Sequence, residues 1–161
     1  MTEKTITYKH GEYSQEIIDL SGDMLERELM RLRPDDTSYN SASLIIDYCF
    51  RRFGVSHSEK TYMIYFNNYY RVLCAKEVGT GTVDETVVFI REIVRDVVIH
   101  NATRAVMVHN HPSGELAFSP SDVKMTQAVL NAFATIGVEL IDHYLIAKRD
   151  FLSFKEIYMR T

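Results

Sequence analysis

The chain is poor in the features that mark several large protein classes. It has two cysteines in 161 residues, Cys49 and Cys74, which excludes a four-cysteine zinc cage. Their apolar surroundings suggest reduced thiols in a core. Positive charge is also scarce: 18 basic against 22 acidic side chains give a net charge of -4, so no overall field gathers polyanions and general coating of nucleic acid is disfavoured. Long apolar runs are missing. Runs such as Leu44 to Ile46 or Ala105 to Val108 fall far short of the roughly 18 residues of a membrane helix, so no membrane association is expected. Met1 to His10 holds no apolar stretch of the kind that directs export, and the expected location is the cytoplasm. Repeats and low-complexity tracts are absent as well. What remains, 46% hydrophobic and 25% charged residues, is the composition of an ordinary globular domain.

Residues 1–40 differ from the rest and read as an appendage, with apolar positions from Ile17 to Leu32 forming a short helical stripe closed by Pro34. The main domain is expected over 41–161. Ser41 caps a first helix that Gly54 ends. Thr61 to Phe66 and Tyr70 to Val78 are rich in aromatic and β-branched residues around Asn67-Asn68, a pair that tolerates left-handed backbone, and they predict an antiparallel hairpin. Val87, Ile90, Ile93, Val94, Val97 and Val98 mark one face of a helix reaching His100, and Ala105 to Val108 reads as a short buried strand. Ser119 opens a helix through Ile136, Gly137 ends it, Val138 to Ile146 is a strand, and Phe151 to Phe154 is its hairpin partner. The fold class is therefore α/β or α+β, with a mixed central sheet flanked by helices.

Chemistry concentrates between His109 and Asp122, a stretch holding two of the three prolines. Side chains alternate along an extended segment, so His109 and His111 leave the strand end on one side and can reach one ion. Pro112 and Gly114 turn the chain, and Asp122 returns in the first turn of the next helix. Two nitrogens and one carboxylate oxygen would hold a tetrahedral zinc with its fourth position open, as catalytic sites require. Taken alone, Ser119, Pro120 and Asp122 are an ordinary helix cap, although capping and ligation are compatible. Next to Asp142, His143 reads either as a support behind the metal ligands or as half of a buried hydrogen-bonded pair, and the second reading is favoured. The tyrosines from Tyr62 to Tyr70 read as core and edge packing rather than a base-stacking platform.

The order His-x-His-Pro, six residues, Ser, two residues, Asp resembles the JAMM (JAB/MPN-type) metalloprotease signature without a gap. The wording His109-Asn110-His111-Pro112-Ser113-Gly114, with Pro120-Ser121-Asp122, resembles the RadC family in particular. Gly81-Thr82, Arg91-Glu92 and Asp142-His143 stand where that family has related residues. The resemblance spans about residues 40 to 160. It implies a JAB/MPN-like, cytidine-deaminase-like architecture, Zn2+ as cofactor, and hydrolysis of peptide or isopeptide bonds in an unidentified peptide or protein substrate. It also implies an upstream strand glutamate that activates water, for which Glu77 matches by position and Glu92 is the reserve. Ser119 would steady the oxyanion through its hydroxyl or backbone N–H. The alternative is a nucleic-acid-binding module associated with DNA repair. Longer family members carry a helix-hairpin-helix in front of the metal domain, whereas residues 1–40 have no Gly-x-Gly hairpin and several acidic groups. A zinc nucleobase deaminase would need a Pro-Cys-x-x-Cys ligand pair, which is absent.

Overall fold

The structure is a computed structural model that describes residues 57–70, 72–78, 86–148 and 150–159. The expected appendage over 1–40, the helix capped by Ser41, Cys49, and Gly81-Thr82 lie outside the described residues. The described chain runs β1 (Thr61–Phe66), β2 (Val72–Glu77), α1 (Thr86–His100), β3 (Arg104–Asn110), α2 (Pro120–Ile136), β4 (Glu139–Ala147), β5 (Asp150–Ser153) and α3 (Phe154–Tyr158). The strands form one sheet in the order β2-β1-β3-β4-β5. β1 is antiparallel to β2 and β3, β3 and β4 are parallel, and β5 turns back antiparallel on β4. This is the mixed α+β sheet expected, with α2 as the crossover that a parallel β3–β4 pair requires.

All six residues of β1 are buried, as suits an inner strand covered on both faces. Met63, Tyr65, Ala105 and Met107 on one face meet Phe89, Ile93 and Val97 of α1 and Val129 and Phe133 of α2 in the main core. The helix face is rotated from the expected stripe, because Val98 is 67% exposed. It lies about 140° around the helix from Ile93, beyond the buried sector. Asp96 is buried in its place, accepting from the Tyr65 hydroxyl at 3.1 Å and the Lys76 ammonium at 2.9 Å.

The β1–β2 turn departs from expectation in one detail. Left-handed backbone falls on Tyr70, φ 57°, and not on an asparagine. Asn67 instead accepts from Tyr69 N–H through its side chain at 2.9 Å and from Tyr70 N–H through its carbonyl at 3.1 Å. Arg104 lies 4.2 Å over the Tyr70 ring and hydrogen-bonds its hydroxyl, holding that conformation.

β3 is longer than its apolar run. Pairing carries it through His109 and Asn110, whose neighbours are Thr61 on one side and Leu145 and Ile146 on the other. The short helix α3, capped by Ser153, has too few residues for a periodicity signal.

Candidate metal centre

Every side chain of the site owes its place to an element end. β3 is extended, so His109 and His111 project to the same side of the sheet, and the His111 N–H is anchored by the Ile146 carbonyl at 2.8 Å. The turn that follows closes with Gly114 N–H on the His111 carbonyl at 3.0 Å, with Gly114 at φ 83°, a conformation that favours glycine. The chain then enters α2 through a full capping box: Ser119 Oγ accepts from Asp122 N–H at 3.1 Å, and Asp122 Oδ2 accepts from Ser119 N–H at 2.8 Å. That second bond turns the Asp122 carboxylate toward the histidines. Capping and convergence on the site are carried by one carboxylate.

Three atoms meet there. His109 Nε2 and His111 Nε2 are 3.1 Å apart, and Asp122 Oδ2 lies 3.1 Å from the second and 3.4 Å from the first. A tetrahedral zinc with bonds of 2.0–2.1 Å spaces its ligand atoms roughly 3.3–3.4 Å from one another. His111 Nδ1 faces the Glu115 carbonyl at 3.0 Å, and a carbonyl only accepts, so the proton is on Nδ1 and Nε2 presents a lone pair. Lone pairs and a carboxylate oxygen at this range repel unless positive charge sits between them. The donor set and its spacing therefore fit a divalent cation such as zinc.

A fourth group joins them that was not among the sequence candidates. Glu59 lies with His109, His111 and Asp122 in a cluster whose ligand atoms are all within 4.8 Å of one another. Its Oε1 is 3.9 Å from His111 Nε2, and the side chain is 49% exposed. The register explains it. β1 pairs with β3 through Thr61 and His109, so two steps further along the antiparallel ladder Glu59 comes opposite His111 and on the same face. Asn110, between the two histidines, points the other way and pins that segment, accepting from Lys60 N–H at 2.6 Å and donating to the Ser58 carbonyl at 3.1 Å.

Glu77 is not brought to this cluster. It pairs with Tyr62, which in turn pairs with Val108, so it belongs to the opposite face of the sheet from His109 and two strands away. Its partner is Lys60 at 3.9 Å. Glu92 lies on α1 beside Lys76 at 3.8 Å, also outside the cluster. Ser119 is at the site, but its backbone N–H is engaged by Asp122, so only its hydroxyl proton is left to meet an oxyanion. His143 is not merely half of an Asp-His pair: its Nε2 lies 2.5 Å from His109 Nδ1. Asp142 accepts from the backbone of His143 and Lys155 and from the Ser153 hydroxyl, tying β4 to α3.

Fold and site together define a JAB-like α+β domain with a cluster able to hold a metal ion. A family model for the RadC-like JAB domain matches residues 39–159. The chain belongs to the RadC family. It is 31% identical to a UPF0758 protein of Bordetella pertussis over 131 residues, which is 81% of this chain and 56% of that protein. Against a UPF0758 protein of Fusobacterium nucleatum it is 29% identical over 133 residues, 83% of this chain and 54% of the relative. A UPF0758 protein of Janthinobacterium sp. (strain Marseille) is 31% identical over 142 residues, 88% and 62% of the two chains. The chain thus spans little more than half the length of these relatives, whose names state no reaction. No helix among the described residues is long and apolar enough to cross a membrane.

Proposed function

We propose that this domain is a zinc-dependent hydrolase of peptide or isopeptide bonds, with His109, His111 and Asp122 as metal ligands and Glu59, in place of Glu77, as general base. The observation that carries the reading is the convergence of two imidazole Nε2 atoms and one carboxylate oxygen at 3.1–3.4 Å. A divalent zinc held there supplies Lewis acidity, polarising a carbonyl and making water acidic enough to lose a proton near neutral pH.

The protein groups do the rest. Glu59 is half exposed and no lysine or arginine is paired with it among the described residues, since Lys60 faces Glu77 on the other side of the sheet. Its carboxylate takes a proton from water as the water oxygen bonds to the carbonyl carbon, then passes it to the departing amine as the C–N bond breaks. The Ser119 hydroxyl donates to the carbonyl oxygen as charge develops. The substrate is a peptide or protein. For a nucleic-acid role, the net charge of -4 offers few phosphate contacts, and no feature of the site favours it.

The test is elemental analysis of protein purified without a histidine tag, followed by a peptidase screen over linear and branched substrates. One zinc per chain and cleavage lost on Asp122→Ala are expected. Protein that carries no stoichiometric metal and takes up no zinc on titration overturns the assignment.

A further inference from the structure

His143 is completely buried beside the candidate centre, under Phe118 at a centroid distance of 5.2 Å and Phe154 at 6.1 Å. Protein groups satisfy both ring nitrogens, as burial requires. Nε2 lies 2.5 Å from His109 Nδ1, and Nδ1 lies 2.6 Å from Thr126 Oγ1. Thr126 Oγ1 is also 2.7 Å from the Asp122 carbonyl, one turn back along α2.

One carbonyl orders the whole chain of bonds. Because the Asp122 carbonyl can only accept, the Thr126 hydroxyl gives it its single proton. Thr126 Oγ1 must then accept from His143 Nδ1–H. Neither ring nitrogen of His143 meets a carboxylate, so a buried imidazolium would lack a counter-charge; the ring is neutral and its Nε2 is bare. The bare nitrogen accepts from His109 Nδ1–H, which leaves the His109 lone pair on Nε2, aimed at Asp122 Oδ2 and His111 Nε2.

We propose that His143 and Thr126 are positioning residues of the centre: a one-directional relay from the Asp122 carbonyl through Thr126 and His143 locks His109 in the tautomer that presents Nε2. The role of that lock in metal binding rests on the metallohydrolase reading; the tautomer itself does not. Asp122 thereby acts twice, its carboxylate at the site and its carbonyl at the far end of the relay. Both histidines of the pair are oriented by backbone carbonyls, His111 directly by Glu115 and His109 through two intermediaries.

Thr126→Val removes the hydroxyl at nearly constant volume, and Thr126→Ser restores it. Histidine ring 15N spectra of the metal-free protein at pH 8 are expected to show the Nδ1–H tautomer at His109 and His143 in the parent and in Thr126→Ser. Thr126→Val should mix both. Zinc affinity, measured by competition with a chromophoric chelator, should fall about 10- to 100-fold in Thr126→Val and recover in Thr126→Ser. His143→Gln, whose amide can accept from His109 and donate to Thr126, should bind zinc more tightly than His143→Leu. An Nε2–H tautomer at His109 in the parent overturns the relay, as does a folded Thr126→Val with unchanged tautomers and zinc affinity within twofold. If the parent takes up no zinc, the metallohydrolase reading fails, while the metal-free spectra still decide the relay.

Discussion

Exchanging glutamate for glutamine separately at positions 59 and 77 tests the register argument directly. Glu59→Gln keeps size and hydrogen bonding but removes the basic oxygen. The stability cost should be within about 0.5 kcal/mol, because the side chain is half exposed. Zinc should still bind, since Glu59 lies 3.9 Å from His111 Nε2 while His109, His111 and Asp122 supply the closer set. Turnover should fall by about 100- to 10,000-fold, the usual contribution of a general base, equivalent to about 2.7–5.5 kcal/mol of transition-state stabilisation. Glu77→Gln loses only a surface pair with Lys60 at 3.9 Å, about 0–1 kcal/mol before screening, and should leave turnover unchanged. The assay is cleavage of the best substrate from the linear and branched screen, with both variants loaded to equal zinc. Full activity in zinc-loaded Glu59→Gln, with loss in Glu77→Gln, would refute the assignment by sheet face and return the base to β2.

Three further outcomes follow from the same geometry. Asp122→Ala should lose zinc and also the capping box, lowering metal-free stability by about 0.5–2 kcal/mol in urea, whereas Asp122→Asn should keep the cap yet bind zinc weakly. Asn110→Ala should leave Lys60 N–H and the Ser58 carbonyl without their clamp, costing about 1–3 kcal/mol in denaturant; zinc affinity should change little while turnover drops, because the segment holding Glu59 loosens. Burial first, and then the Asp96 charge, raise the Tyr65 hydroxyl well above its ordinary value of 10.0, so the folded protein keeps a proton that the unfolded chain releases. Its contribution is complete below pH 10 and declines above it by up to about 1.4 kcal/mol per pH unit; denaturant stability at pH 9 and 11 should show a shallower loss in Tyr65→Phe.

Local signals carried most of the fold. The hairpin, the helix ending at His100, the Ser119 cap and the Gly137 stop each depend on residues a few positions apart, and the structure places them within a residue or two of expectation. Two departures came from tertiary context. Asp96 became buried because Lys76 on β2 and Tyr65 on β1 supply a cation and a donor that no helical periodicity can reveal. β3 ran past its apolar residues because partners on both sides continue to satisfy its backbone through Asn110.

The candidate site divides along the same line. His109, His111 and Asp122 come from one strand-turn-helix unit of fourteen residues, so spacing alone brings them near one another. Glu59 and His143 arrive from the segment leading into β1 and from β4, the two neighbours of β3, and their places depend on register. Register is non-local: a one-residue slip of β1 against β3 would carry Glu59 to the opposite face and bring Lys60 to the centre. Position along the chain favoured Glu77 because it ends a strand, but alternation across the sheet puts it behind the histidines. Asn110 is what guards the register at this point, since its amide bonds to Lys60 and Ser58 fit only one alignment of the two strands. The residue between the two histidines thus favours Glu59 over Lys60 as the side chain that this segment brings to the site.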